Sequence, residues 1–270
     1  VPFDVLSRRR KQTLSHEDFL ALRDSVPTLV PPDQFAELFK RTLAEVLTMT
    51  RGRRVGYAWS GGKDSIALEL VMNAAGIGDC CFGMTNLEYQ KFLVWVTDHM
   101  PPGLEIFNNG WDLAWLVKNQ STMLFPRNST HAGKWFAGVQ HRAQRLFAQR
   151  RGLDILITGR RKDDGNYVPG ADGSYVSGDG IRRYAPLRDW RHVDVFAALL
   201  YHGRSRDQAP FYGWPRGYRV GTHAWPARQW CNDVAHGFAE VFSIEPARVT
   251  DAASAGLSSA QNWLRDQGIA

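Results

Sequence analysis

The sequence predicts an α/β fold: a doubly wound, mostly parallel five-stranded sheet with helices on both faces. Two observations predict it. Short apolar runs alternate with stretches of helical periodicity from Val55 to His202, the pattern of β-α-β units. A glycine-rich turn, Ser60–Ser65 (SGGKDS), also separates the first apolar run from the helix that follows it. In such sheets ligands sit at the carboxyl ends of the strands, where that turn falls.

The elements follow in order. Residues 1–50 read as an N-terminal helical extension, with a basic run at Arg8–Lys11 and a short helix near Ser15. A second helix is expected with Asp33 as its cap and Phe35, Leu38, Phe39, Leu43, Val46 and Leu47 on its apolar face. Residues 51–230 read as the α/β domain. Strands are expected at Val55–Trp59, Cys80–Thr85, Leu104–Phe107 and Leu153–Thr158. Helices are expected at Ile66–Ala75, Leu87–His99, Trp111–Lys118, Gly133–Arg150 and from an Asp189 cap to His202. The polar, glycine-rich segment 160–183 reads as a long loop, either functional and able to close over a ligand or disordered. Residues 231–270 read as a helical tail.

Composition narrows the function classes. The chain has 270 residues, 44% hydrophobic and 22% charged, as in a soluble globular protein. No apolar stretch reaches the roughly 18–20 residues that cross a bilayer, so no membrane partner is expected. The start, VPFDVLSRRRKQ, lacks the form of a secretory signal. Three cysteines, adjacent Cys80 and Cys81 with a distant Cys231, suit a reducing, cytoplasmic setting. A net charge of +6 and a pI near 9.4 favour anionic ligands such as nucleotides or nucleic acid.

The loop chemistry is specific. Gly61 and Gly62 allow positive φ and close backbone approach to an anion. The helix opening after them turns amides and the positive end of its dipole toward the same space. Lys63 adds a mobile cation, and Ser60 and Ser65 add hydroxyls. Asp64 is either a magnesium ligand or a helix cap. The string is no Walker A loop, because Tyr57 stands where that motif has its first glycine and Asp64 follows the lysine.

The loop resembles that of the PP-loop ATP pyrophosphatases, the adenine nucleotide alpha hydrolase-like superfamily. Further segments are similar to the PAPS reductase family within it: Phe82–Phe92 (FGMTNLEYQKF), Ile157–Gly165 (ITGRRKDDG), Arg183–Leu200 (RYAPLRDWRHVDVFAALL) and Pro210–Pro226. Together with the loop they occur in family order over about residues 53–230. The resemblance implies that backbone at Ala58, Thr85 and Gly159 holds adenine. It implies that Ser60, Gly61, Gly62, Lys63 and Ser65 hold the β and γ phosphates. Lys63 and Asp64, with Mg2+ on Asp64, would manage the pyrophosphate. Arg160 and Arg161 would meet the α-phosphate. An acceptor would lie near Arg188 and the Tyr218–Arg219 turn. The implied activity is cleavage of ATP to AMP and pyrophosphate, with adenylation of an unidentified acceptor for sulfur or amine transfer.

The chain also departs from that family. Phe82–Phe92 replaces its usual D-T-G segment, and no C-terminal E-C-G follows; Cys231 sits in QWCND. No Cys-x-x-Cys exists, so no iron–sulfur cluster is expected. A sulfonucleotide reductase using Cys231 and thioredoxin is the first alternative. The second is the ATPase of a nucleic-acid modification system akin to DNA phosphorothioation, or a nucleotide-binding module without catalysis. A sulfur-donor or nucleic-acid partner and a homodimer are compatible with either. Asp163 and Asp164 read as further magnesium candidates, or as solvated acids. His131, His141, His192 and His223 lack metal spacing and read as structural or surface residues.

Overall fold

The computed structural model describes residues 24–124, 129–163, 168–203 and 234–269. The elements follow the predicted alternation: α1 (Pro32–Thr50), β1 (Val55–Ala58), α2 (Lys63–Ala74), β2 (Cys80–Met84), α3 (Gln90–His99), β3 (Leu104–Asn108) and α4 (Leu113–Asn119). Next come α5 (Ser129–Phe136), a π-helical turn (Ala137–His141), α6 (Arg142–Arg151) and β4 (Ile155–Ile157). Then follow β5 (Ser174–Val176), β6 (Arg182–Tyr184), α7 (His192–Tyr201), α8 (Val234–Ile244), α9 (Pro246–Ser254) and α10 (Ser258–Asp266).

Among the described residues the sheet has six strands, not five, in the order β3-β2-β1-β4-β6-β5. β1 pairs in parallel with β2 and β4, and β4 with β6, while β5 runs antiparallel along β6. The α/β class is therefore as the sequence predicts, but the count is corrected. Two strands beyond the four given ranges in the sequence, β5 and β6, come from 174–184, which lies almost wholly in the segment that composition marks as loop. Its glycines and aspartates build a hairpin instead: Gly180 takes φ 80°, and Asp179 Oδ1 accepts the Ile181 N–H at 3.2 Å. Arg183 closes the turn by donating to Asp179 Oδ2 at 2.7 Å.

The chain divides into two compact units that interleave along the sequence. The first takes in the described residues up to Phe82, His99–Phe107 and those of Ala143–Gly221. In it, α1, α2 and α7 pack on one another. On the other face of the strands lies α6, whose Phe147 sits over Gly56. A Cβ on Gly56 would come 2.6 Å from that ring, so β1 needs glycine there for α6 to close on the sheet. Phe147, Ala148, Leu153, Leu156, Cys81 and Ile181 form the buried cluster beneath α6. The second unit holds Gly83–Asp98, Asn108–Arg142 and the described residues of Thr222–Ala270. Its α8, α9 and α10 pack together, and α9 also meets α4.

Helix boundaries move for local reasons. α1 starts at Pro32 with no side-chain cap, because proline suits the first helical position and needs no donor. Asp33 therefore sits in the first turn and is not the cap. Thr42 is buried on the inner face of α1, while Leu47 is exposed. α7 begins at His192, not after Asp189. Asp194 in the first turn holds the start, its Oδ2 accepting the Arg191 backbone N–H at 2.7 Å. Among the described residues no helix is long and apolar enough to cross a membrane.

Candidate functional site

Three parallel strands of the first unit end side by side, and each exit delivers a polar segment to one edge. β1 leads into Ser60–Ser65, β4 into Gly159–Arg161, and β6 into Trp190–His192.

The first segment is tightly built. Gly61 takes φ 69°, a left-handed conformation that disfavours a side chain. The turn closes on Ser65, a buried residue. Its hydroxyl donates to the Gly62 carbonyl at 2.8 Å and accepts the Ser60 N–H at 3.2 Å. Trp59, just before the loop, is anchored to α2 by its indole N–H on Glu69 Oε2 at 2.8 Å. Helix α2 starts at Lys63, earlier than predicted. Its N-cap, Gly62, offers no side-chain cap to the first-turn amides.

Gly62 differs from Gly61. Its φ of −76° is ordinary, and a Cβ there would meet only the Ser60 hydroxyl at 3.5 Å. The loop's own folding does not need that glycine; its bare Cα leaves space in front of the helix terminus. Gly61→Ala should therefore cost about 1–2 kcal/mol from the forced φ, seen as a lower melting temperature. Gly62→Ala should lower it less, costing the few tenths to about 1 kcal/mol that separate glycine from alanine at an N-cap.

The second segment locks onto the first. A Cβ at Gly159 would lie 3.1 Å from the Asp64 carbonyl oxygen, so glycine lets the end of β4 touch the first turn of α2. Arg161 is fully buried. It donates from Nε to Asp64 Oδ1 at 2.6 Å, from Nη1 to the Trp190 carbonyl at 3.1 Å and from Nη2 to His192 Nδ1 at 3.1 Å. Arginine has only donors, so Nδ1 is the acceptor and the His192 proton sits on Nε2. Lys63 Nζ takes the other Asp64 oxygen at 2.6 Å. Burial opposes charge on Asp64, but Lys63 and then Arg161 outweigh it and hold its pKa below the usual value. Burial, followed by Lys63 and Arg161, pushes His192 down to about 4, so the ring is neutral near pH 7.

The third segment closes the cluster. Asp163 Oδ2 accepts the His192 N–H at 2.7 Å and caps α7, with Arg161 Nη1 3.7 Å away. Trp190 is buried and donates its indole N–H to Thr42 of α1 at 3.0 Å.

The structure thus gathers Ser60, Gly61, Gly62, Lys63, Asp64, Ser65, Gly159 and Arg161, with Ala58 at the end of β1 beneath them. Arg160 follows Gly159 on the same exit and is partly exposed. Arg161, expected to reach an α-phosphate, instead has its guanidinium in the protein, on Asp64. Arg188 is drawn into the fold as well, with Nη1 on Glu45 at 3.0 Å and Nε 3.3 Å from Asp189. Thr85 belongs to the second unit. Its N–H is shared by the two carboxylate oxygens of Glu88, at 2.9 and 3.1 Å. Burial raises the Glu88 carboxyl to about 7. Tyr218, Arg219, Asp164 and Cys231 lie outside the described residues.

The alternation pattern did not single out Trp190 or His192. A signal was available: they stand between a parallel strand and a helix, the topological place of Ser60–Ser65 on β1.

The comparisons with known proteins give a fold likeness. No family model matches the chain, nor does any curated protein. Among solved structures it is similar to the phosphoadenylyl-sulfate (PAPS) reductase of Candida auris, solved as a phosphate complex. The identity is 16% and the TM-score 0.47, over 75% of this chain and 94% of that one. It is similar to the U34-tRNA thiolase NcsA of Methanococcus maripaludis at 14% identity and TM-score 0.45, over 86% and 80% of the two chains. It is also similar to the glutamine-dependent NAD+ synthetase of Acinetobacter baumannii in complex with ADP, at 16% and 0.46, over 86% and 44%. At such identities and scores the chain's own residues must carry its function.

Cys80 and Cys81 are buried in β2 and unsuited to nucleophilic work. Burial pushes the Cys80 thiol up to about 12 and Cys81 higher still.

Proposed function

We propose that this chain binds ATP at Ser60–Ser65 and cleaves it between the α and β phosphates, adenylating an acceptor in the manner of PAPS reductase-like PP-loop enzymes. The observation that carries the reading is Gly62. It has no conformational need to be glycine, yet its missing side chain keeps open the space before an uncapped helix N-terminus flanked by Lys63 and Ser60. That is the chemistry of a site for phosphate oxygens. The β and γ phosphates would take the first-turn amides of α2 and the Lys63 ammonium, which would turn from Asp64 to the anion.

Magnesium fits in a limited way. Among the described residues no group of three or more His, Cys, Asp or Glu side chains could hold a metal by itself. A magnesium ion carried mainly by phosphate oxygens needs only one or two carboxylates. Asp64 is ionised at the loop and would supply one when Lys63 turns away. When bound, the ion would stabilise charge on the departing pyrophosphate. Arg161 is a positioning residue in this scheme: it fixes Asp64 while His192 and the Trp190 carbonyl hold its other nitrogens. Arg160, partly exposed on the same strand exit, is the arginine proposed to reach the α-phosphate. A sulfonucleotide reductase would need a thiolate from Cys231, since the described cysteines are buried and protonated.

The test uses ATP labelled at the α-phosphate, with magnesium and candidate acceptors, alongside calorimetry with pyrophosphate. Labelled AMP or adenylated acceptor is expected, together with pyrophosphate binding that Gly62→Val weakens at least about tenfold with only a small loss of melting temperature. Products of ADP and orthophosphate, or pyrophosphate affinity untouched by Gly62→Val, would refute the reading.

A further inference from the structure

The second unit carries an aromatic feature that the ATP site does not use. Trp111 and Trp115 stack with ring centroids 5.2 Å apart and planes within 8°. Trp135 lies tilted against Trp111, with centroids 6.0 Å apart. The stack is held from behind. A Cβ on Gly138 would come 2.1 Å from the Trp111 ring, so the π-helical turn carries glycine where the indole sits. Asn109 ties the same two pieces, accepting the Trp111 N–H at 3.0 Å and donating to the Gly138 carbonyl at 3.2 Å. Helix α4 buries Leu113 and Leu116 and turns Trp115 outward, 38% exposed, with exposed Lys118 one turn on.

An indole held this way has lost most of its freedom, so stacking a further ring on it costs little extra ordering. The charge around it selects the partner. Among the described residues of Asn108–Arg142, Lys118, Lys134 and Arg142 stand against one acid, Asp112. Asp112 spends its carboxylate on the helix, accepting the Trp115 N–H at 2.7 Å. A fixed aromatic stack in a cationic stretch suits a ligand with flat rings on an anionic backbone.

We propose that Trp115, stacked on Trp111 and flanked by Lys118, is a platform for single-stranded nucleic acid. A base stacks on the exposed indole while a backbone phosphate meets Lys118, one turn along the helix. This rests on the second unit alone and is independent of the ATP reading.

The experiment is fluorescence anisotropy of a dye-labelled, short single-stranded oligonucleotide with the full chain, at low and moderate salt. Binding that weakens as salt rises and quenches tryptophan emission is expected. Trp115→Ala should weaken it about tenfold or more. Trp115→Tyr should keep most of the affinity, and Lys118→Glu should lower both the affinity and the salt slope. Trp115→Tyr and Lys118→Glu should keep the wild-type melting temperature, Trp115→Ala should lower it by the loss of one aromatic stack, and all three should keep the wild-type ATP affinity. Absence of binding at low salt, equal affinity for a duplex of the same sequence, or wild-type affinity in Trp115→Ala would each overturn the proposal. Specific capture of a protein by this face without oligonucleotide binding would do the same.

Discussion

Asp64→Asn is expected to destabilise the folded chain by about 3 kcal/mol and to lower its melting temperature by roughly 6–12 °C. The loss comes mainly from Arg161. Its guanidinium is fully buried, and Asp64 is its short carboxylate partner at 2.6 Å. Taking the charge from Asp64 leaves a cation in the interior without its short carboxylate partner, with Asp163 3.7 Å away. Water reaches Asp64, whose side chain is 26% exposed, so the effect sits at the low end of the range for broken buried pairs. The pH dependence has a definite sign. The folded pKa of Asp64 lies below its unfolded value, so this stability is complete above about pH 4. It drains away as pH falls through the folded pKa. Thermal melts from neutral to acid pH should show wild type and Asp64→Asn converging as the medium acidifies. Adding Arg161→Met to the variant should restore part of the loss, because the stranded cation is then gone. A constant gap at every pH, or no recovery in the double variant, would show that the pair does not do this work.

Trp190→Ala should cost about 3–5 kcal/mol, the usual price of emptying a buried aromatic site. Trp190 packs edge-on against Phe35 of α1, with centroids 5.9 Å apart, and its indole N–H reaches Thr42 on the same helix. Its backbone carbonyl takes one Arg161 nitrogen. One residue thus joins α1, the segment before α7 and the Asp64 cluster. Trp190→Phe keeps most of the packing and loses the hydrogen bond, so about 1–2 kcal/mol is expected. Urea unfolding of both variants should show the midpoint falling at a nearly constant slope. If ATP affinity falls in Trp190→Ala but holds in Trp190→Phe, packing rather than the indole N–H sets the position of Arg161.

These two residues show the range of what could be read in advance. Asp64 announces itself, because a carboxylate inside a glycine-serine-lysine turn between strand and helix has few ordinary roles. Its sequence reading still left magnesium and capping open, and did not include an ion pair with Arg161. That arginine is 97 positions away, and no local pattern links the two. Trp190 carried no chemical signal at all. Thr42, absent from the apolar face read in the sequence, is buried where its hydroxyl accepts the Trp190 indole N–H. Segment 160–183 went wrong in the opposite direction. Glycine and aspartate suggest loop by composition, yet three-residue strands need little apolar sequence when an existing sheet edge supplies their hydrogen bonds.

The sequence by itself determined the α/β class and the strand–turn–helix around Ser60–Ser65. Each rests on contacts between near neighbours in the chain, so periodicity and local backbone chemistry suffice. The tertiary structure alone decided that Arg161 is buried against Asp64 rather than open on the edge. It alone decided that His192 is a neutral acceptor, and that the sheet takes two further strands. Those outcomes depend on which strands lie side by side and on how deeply charges are drawn from water, quantities set by the assembled sheet.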